Sequence, residues 1–361
     1  MAAFGEALEA LEDFRTDLVD QQVNEMVPAA EAMAFRAAPG AAGQNPIRNV
    51  HATGVGVRNN ITNPGKNDFV IKVYMFDQSD VSSASRAPLL STPLQGVEID
   101  VEYLPVQVAF GAKKSGGTRI PKAKALAGNP SQHQARRRPV PGGVEIGPLG
   151  GSFVGTLGCF VRRGAGGNGP LFVLSNNHVL SNVNQFPIGT RFTQPFSANS
   201  ADVIATLSEF EPIRFPAPGS QPRNVIDAAI AAVSDPTQVV LGKMLNIPNV
   251  SPKLLAPRPG MAVTKAGRTT GVTNGTIRAI RVRGVQVNYG TLQNPIIATF
   301  DNAITITGAG GTAFSKPGDS GSVILDMASG RPVALLFAGD STTTTACDVA
   351  AACARFHVLP V

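Results

Sequence analysis

The chain has 361 residues, enough for two or three cores, and its 38 glycines and 28 prolines punctuate short apolar runs, which excludes a mainly helical body. Three cysteines with no pairing scheme exclude a disulfide framework and fit a reducing compartment. The formal charge of +6 is not spread evenly, and no apolar run approaches the length of a transmembrane helix.

Residues 1–38 predict an N-terminal amphipathic helix. Phe4, Leu8, Leu11, Phe14, Leu18, Val23 and Met26 form its apolar stripe, with Glu6, Glu9, Glu12, Asp13 and Asp17 off it. Pro28 ends or kinks it. So long a stripe needs cover, either from its own protein or from a second subunit, so a homo-oligomer is expected. The first twenty residues are acidic and lack a basic region followed by an apolar core, so a cytoplasmic location is expected. Residues 47–110 predict a small α+β domain, with strands at 50–57, 69–76 and 97–106 and turns at Asn59-Asn60 and Asn63 to Asn67.

Residues 111–143 hold Lys113, Lys114, Arg119, Lys122, Lys124, Arg136, Arg137 and Arg138 and no acid, leaving the rest of the chain slightly acidic. The composition predicts a flexible, solvated linker, open to proteolysis at its arginine run. The alternative is docking on nucleic acid or an anionic surface, although no aromatic residue offers a stacking platform.

Residues 144–361 carry the chemistry. Leu171 to Ser175 reads as an apolar strand running into a polar turn, Asn176-Asn177, that places His178 at a strand end. The other histidines, His51, His133 and His357, lack that context. Asp227 lies among small and branched apolar residues, where a buried carboxylate needs a partner. Asp202 competes with it, in a shorter run nearer polar turn residues. Gly164 to Gly169 is a hairpin tip without the strand–helix context of a nucleotide loop. A proline-rich crossing at 248–259 separates two strand-rich halves, about 151–233 and 260–339, and residues 345–356 predict a closing helix. Lys316 to Ser322 sets Ser320 in Gly-Asp-Ser-Gly, a loop suited to converging backbone N–H groups. No His/Cys/Asp/Glu cluster has metal-ligand spacing, so neither metal nor cofactor is expected.

The order His178, Asp227, Ser320 and the residues around each resemble the trypsin/chymotrypsin-like serine proteases, most closely the bacterial and plant Narrow Leaf-type peptidases. Gly155 to Cys159, Leu174 to Leu180, Asp227 to Ile230, Gly267 to Gly271, Gly318 to Ser322 and Leu335 to Gly339 carry the resemblance, over about residues 140–345. It implies a mainly β protein, a chymotrypsin-like double β-barrel with a C-terminal helix, acting on protein or peptide substrates. Ser320 would be the nucleophile, His178 the general base and then acid, and Asp227 its orienter. The N–H groups of Gly318 and Ser320 would form the oxyanion hole. Phe337-Ala338-Gly339 matches the segment that pairs with a substrate backbone.

Phe314 matches the base of the specificity pocket, where trypsin-type enzymes carry an acid, so the residue before the cut is expected to be small or apolar. The chain shows no basic cleavage site followed by an Ile-Val-type start near Gly151, so Asp319 must find a partner other than a new amine. The alternative is a catalytically silent protein of the same fold that binds peptides or partner proteins.

Overall fold

The computed structural model describes residues 2–24, 49–79, 81, 90, 92–109, 131–164, 169–291 and 293–361. The helix α1, Phe4–Asn24, is followed by β1 Val50–Val57, β2 Phe69–Met75, β3 Ile99–Tyr103 and β4 Gln107–Ala109. A single turn α2, Ser131–Gln134, leads into β5 Val140–Gly142, β6 Val144–Pro148, β7 Gly155–Leu157, β8 Cys159–Arg163 and β9 Leu171–Ser175. After the turn α3, Asn177–Leu180, come β10 Arg191–Thr193, β11 Val203–Phe210, β12 Arg223–Asn224, β13 Ala229–Val233 and β14 Val239–Met244. The second half holds β15 Ala262–Gly267, β16 Gly271–Arg283, β17 Val285–Asn288, β18 Ile297–Phe300, β19 Ala303–Gly308, β20 Val323–Asp326, β21 Pro332–Gly339 and β22 Thr343–Asp348. The helix α4, Val349–Phe356, and β23, Val358–Pro360, end the chain.

These strands make the expected mainly β body, with one closed six-stranded barrel and one half-barrel. One sheet runs β23-β8-β9-β13-β11-β10-β6-β7 and curves around Ile146, Phe160, Val173, Phe192 and Leu207. In the other, β16, β15, β20, β21, β22 and β19 pair in turn and β19 returns to β16, closing a six-stranded barrel. Its inward residues Val263, Ile277, Ile306, Ile324 and Leu336 are buried. Closure removes the exposed edges that an open sheet would present. A third core, with Leu174, Ile230, Phe300, Phe337, Cys347 and Phe356, joins the two halves. Functional side chains on that seam are drawn from both.

The strands β1–β3 are not a detached unit. The strand β1 pairs with β16, so they extend the second sheet, and α1 lies across them. Leu11 and Phe14 are fully buried against Val55, Ile71, Val73 and Met75, each contributing roughly 1.5–3 kcal/mol. The apolar stripe of α1 is thus covered by its own chain. Gly56 leaves room for the stem of buried Lys72, whose ammonium meets Asp100 at 2.5 Å and Glu102 at 2.7 Å. The rest of the helix expected to run to residue 38 lies outside the described residues, as do 110–130 of the basic segment.

Residues 131–143, by contrast, are bound to the first sheet and do not form a solvated linker. Arg136 Nε donates to Asp202 Oδ1 at 2.9 Å, and Arg138 donates to Gln238 and Gln194. The acids and amides that accept these bonds lie far along the chain, which hid the docking from a local reading. The closing helix begins at Val349 and not at 345, because Asp348 caps it by accepting from Ala350 N, while residues 343–348 remain a strand. Cys347 and Cys353 therefore sit on different elements. Burial pushes the Cys353 thiol up to about 12, with Asp348 adding to it, and Cys347 higher still.

Candidate active site

His178 stands on α3, the single helical turn after β9. The turn forms there because its polar residues satisfy one another. Ser175 Oγ donates to Thr156 O at 2.8 Å, Asn177 Nδ2 to Glu211 O at 2.7 Å, and Ser181 Oγ to Asn177 Oδ1 at 3.0 Å. With those groups paired, the turn can be buried, and His178 is 1% exposed. Asp227 follows β12 and leads into β13, held by Asn176 Nδ2, which donates to its backbone carbonyl at 2.6 Å.

The Asp227 carboxylate is fully buried and accepts three hydrogen bonds. His178 N reaches Oδ1 at 3.2 Å, while His178 Nδ1 and Tyr289 Oη reach Oδ2 at 2.6 Å and 2.8 Å. Such charge-assisted bonds offset the cost of burying the anion. Since a carboxylate only accepts, the imidazole proton resides on Nδ1. That leaves Nε2 basic, buried and without a hydrogen-bond partner among the described residues. The competing acid, Asp202, is engaged by Arg136 and Ser197 and takes no part in this cluster.

Ser320 sits in the turn before β20, fully buried. Gly318 and Gly321 on either side have φ of 101° and 92°. A Cβ on Gly318 would stand 2.4 Å from Thr269 Oγ1, and one on Gly321 would stand 2.2 Å from Thr156 O, so only glycine fits either place. Thr156 pins the loop twice: its N–H donates to Ser320 O at 2.8 Å and its Oγ1 to Gly318 O at 2.9 Å. Gly155 packs between the side chain of Val179, next to His178, and the Ser320 carbonyl, which brings the two loops together. Ser320 Oγ donates to Phe337 O at 3.3 Å. Neither the Gly318 nor the Ser320 N–H has an acceptor among the described residues.

Asp319 has found its partner. Its fully buried carboxylate accepts from the backbone N–H groups of Thr269, Thr270 and Lys316 and from Thr270 Oγ1, and it faces Lys265 Nζ at 3.5 Å. Lys265 also donates to Thr270 Oγ1 and Gly271 O. Burial lowers the pKa of this lysine from 10.5, and Asp319 opposes the shift. The partner of Asp319 is thus a lysine side chain of β15 together with backbone N–H groups.

The expected substrate-binding residues fare differently. Phe314 is 1% exposed, packed with Val263, Ile277 and Ile324 in the second-barrel core and with its ring 5.8 Å from Lys265 Nζ. Phe337, Ala338 and Gly339 form the end of β21. That edge, however, is already filled by β4, which pairs with Ala338 and Gly339.

Three participants escaped the sequence reading. Tyr289 gave no signal, since nothing in Val287-Asn288-Tyr289 points at residue 227, 62 positions away. Lys265 could have been found: in Val263-Thr264-Lys265-Ala266, strand alternation puts it on the inward side with Val263, and an inward lysine requires a counter-charge. The third is β4, whose pairing partners are 180 to 231 residues away.

Tyr289 is a positioning residue. Its phenol is raised well above its ordinary pKa by burial and by the adjacent Asp227, so it stays a donor, and its ring stands edge-on to His178 with centroids 5.9 Å apart. Tyr289→Phe is expected to slow acylation of Ser320 about ten-fold, the loss of one hydrogen bond to a charged group, at nearly unchanged melting temperature. Reaction rate with a fluorophosphonate, set beside a thermal melt, checks this. Equal rates would reduce Tyr289 to packing.

No known family model matches the chain, and no curated protein is similar to it. Solved serine proteases of the trypsin/chymotrypsin fold are similar in structure. Thermobifida fusca Protease A is 18% identical, with a TM-score of 0.43 over 62% of this chain and 98% of its own. A Cellulomonas bogoriensis chymotrypsin is 20% identical, with a TM-score of 0.42 over the same shares. A Nocardiopsis protease is 16% identical, with a TM-score of 0.43 over 62% of this chain and 99% of its own.

Proposed function

We propose that the chain is a serine endopeptidase that cuts peptide bonds through an acyl-enzyme. The observation that carries this is the buried His178–Asp227 pair at 2.6 Å, which leaves Nε2 basic and unpartnered beside the Ser320 loop. Ser320 Oγ attacks the carbonyl carbon while His178 Nε2 takes its proton. The proton passes to the departing amine, and water then hydrolyses the ester. The N–H groups of Gly318 and Ser320, which have no acceptor among the described residues, receive the developing oxyanion, worth about 2.7–4 kcal/mol per donor.

The sequence resemblance supports the Narrow Leaf-type peptidases as the nearest group, and the buried aromatic at 314, where an acid would select Lys or Arg, supports a small or apolar residue before the cut.

A fluorophosphonate probe is expected to label wild-type protein at Ser320 and to leave Ser320→Ala unlabelled, with both variants folded. A wild-type protein that never reacts would sink the proposal.

A further inference from the structure

The edge of β21 that leads away from Ser320 is occupied. Phe337 O accepts from Ser320 Oγ at 3.3 Å, which puts the start of that edge at the nucleophile. Consider an extended peptide laid antiparallel along it, with its reacting residue at the level of Phe337. The two residues before the cut then fall at the levels of Ala338 and Gly339. Those levels are held by β4, where Ala109 stands opposite Ala338 and Val108 opposite Gly339, also antiparallel. From Val108 to Ala109 the chain runs in the direction such a peptide would run. One strand edge pairs with one chain at a time, so a peptide cannot take this path while β4 is there.

The strand is fixed on both edges and by a side chain. Its far edge pairs parallel with β17, Gln107 beside Val287 and Val108 beside Asn288. Gln107 is fully buried: its Oε1 accepts from Thr345 Oγ1 at 3.2 Å, and its Nε2 donates to Pro105 O at 3.0 Å and to Asp340 Oδ2 at 2.7 Å. The bond to Asp340 is the charge-assisted one, and the carboxylate is oriented from its other side. Asp340 Oδ1 accepts from Thr342 N at 2.6 Å, Thr342 Oγ1 at 2.8 Å and Thr343 N at 2.9 Å, which turns Oδ2 to Gln107. Chain continuity adds to this, since a tethered segment competes at an effective concentration of about millimolar. None of these bonds involves the side chains of His178, Asp227 or Ser320.

We infer that β4 is a built-in competitor for the substrate edge. The protein is latent towards peptides while Ser320 still reacts with small reagents, and release of β4 opens a slot between β21 and β17 that receives a peptide as a strand. This rests on the serine endopeptidase proposal and adds its regulation.

The test uses the full chain and two reagents with one warhead: the diphenyl phosphonate of acetyl-alanine, and the same compound lengthened by an arm of three more alanines. Only the arm needs the β21 edge. A small fluorophosphonate reports the reactivity of Ser320 itself. In Asp340→Asn the amide oxygen is claimed by the Thr342 and Thr343 donors, so the amide nitrogen meets Gln107 Nε2, donor against donor, and β4 loosens. The arm is expected to leave labelling of wild type unchanged and to speed that of Asp340→Asn about ten-fold or more, the loss of one hydrogen bond to a charged group. The fluorophosphonate rate should be equal in both. Gln107→Glu, which sets a second carboxylate against Asp340, is expected to act alike and serves if a thermal melt shows the first variant unfolded. A wild type that the arm speeds overturns the inference with no variant needed, and so does a folded variant that gains nothing from it. In either case a fluorophosphonate reaction at Ser320 leaves the peptidase proposal standing. A wild type that never reacts with the fluorophosphonate removes both.

Discussion

Asp227→Asn is expected to slow acylation of Ser320 about 10,000-fold while the protein still folds. The size follows from what the carboxylate does. Its Oδ2 accepts from both His178 Nδ1 and Tyr289 Oη, and Oδ1 accepts from His178 N. An asparagine has one accepting oxygen and one donating nitrogen. If its nitrogen faces His178 Nδ1, the imidazole must turn over its tautomer, placing the proton on Nε2, where Ser320 needs a base. If its oxygen faces Nδ1, the nitrogen meets the backbone N–H of His178 and one donor is left unpaired. Either way the imidazolium formed during attack loses its counter-charge in a buried site. Fluorophosphonate kinetics measure the rate, and a thermal melt separates it from unfolding. A loss of less than about 100-fold would mean that Asp227 only packs against His178.

Lys265→Met is expected to destabilise the protein by about 3–5 kcal/mol and to disorder the Ser320 loop. Both Lys265 and Asp319 are fully buried, so removing the ammonium strands a carboxylate in a low-dielectric setting with only dipoles to hold it. The double variant Lys265→Met, Asp319→Asn should recover part of the stability, because no unpaired charge remains, yet it should not recover full acylation. The pH dependence supplies a second signature. Burial, opposed by Asp319, lowers the lysine pKa in the folded state from 10.5. Between that lowered value and 10.5 the unfolded chain still holds a proton that the folded chain has released, so stability rises with pH there. The single variant should lack this rise. Denaturant melts across the alkaline range decide it, and a variant as stable as wild type with the same pH profile would remove Lys265 from the role.

These variants address different parts of one seam. Asp227 and Tyr289 hold the imidazole, and Lys265 and Asp319 hold the serine loop. Phe300 and Phe337 of the second sheet, whose ring centroids are 4.7 Å apart, share a core with Leu174 and Ile230 of the first, so the positions of the groups depend on packing between halves.

The sequence by itself determined the class of fold and the identities of His178, Asp227 and Ser320. Those are local signals: apolar runs broken by glycine and proline, a strand running into Asn176-Asn177, an acid among small apolar residues, a serine between glycines. Strand alternation at Val263 and Lys265 held a further signal that went unused.

Only the tertiary structure decided the partners. Tyr289 donating to Asp227, Lys265 facing Asp319, the arginine run docked on Asp202 and Gln194, and β4 beside Ala338 all join residues between 54 and 229 positions apart, in sheets whose register no single segment specifies. A buried polar group demands a partner but does not name one. Which donor or strand answers is set by how one sheet closes and packs against the other, and that is a property of the whole chain.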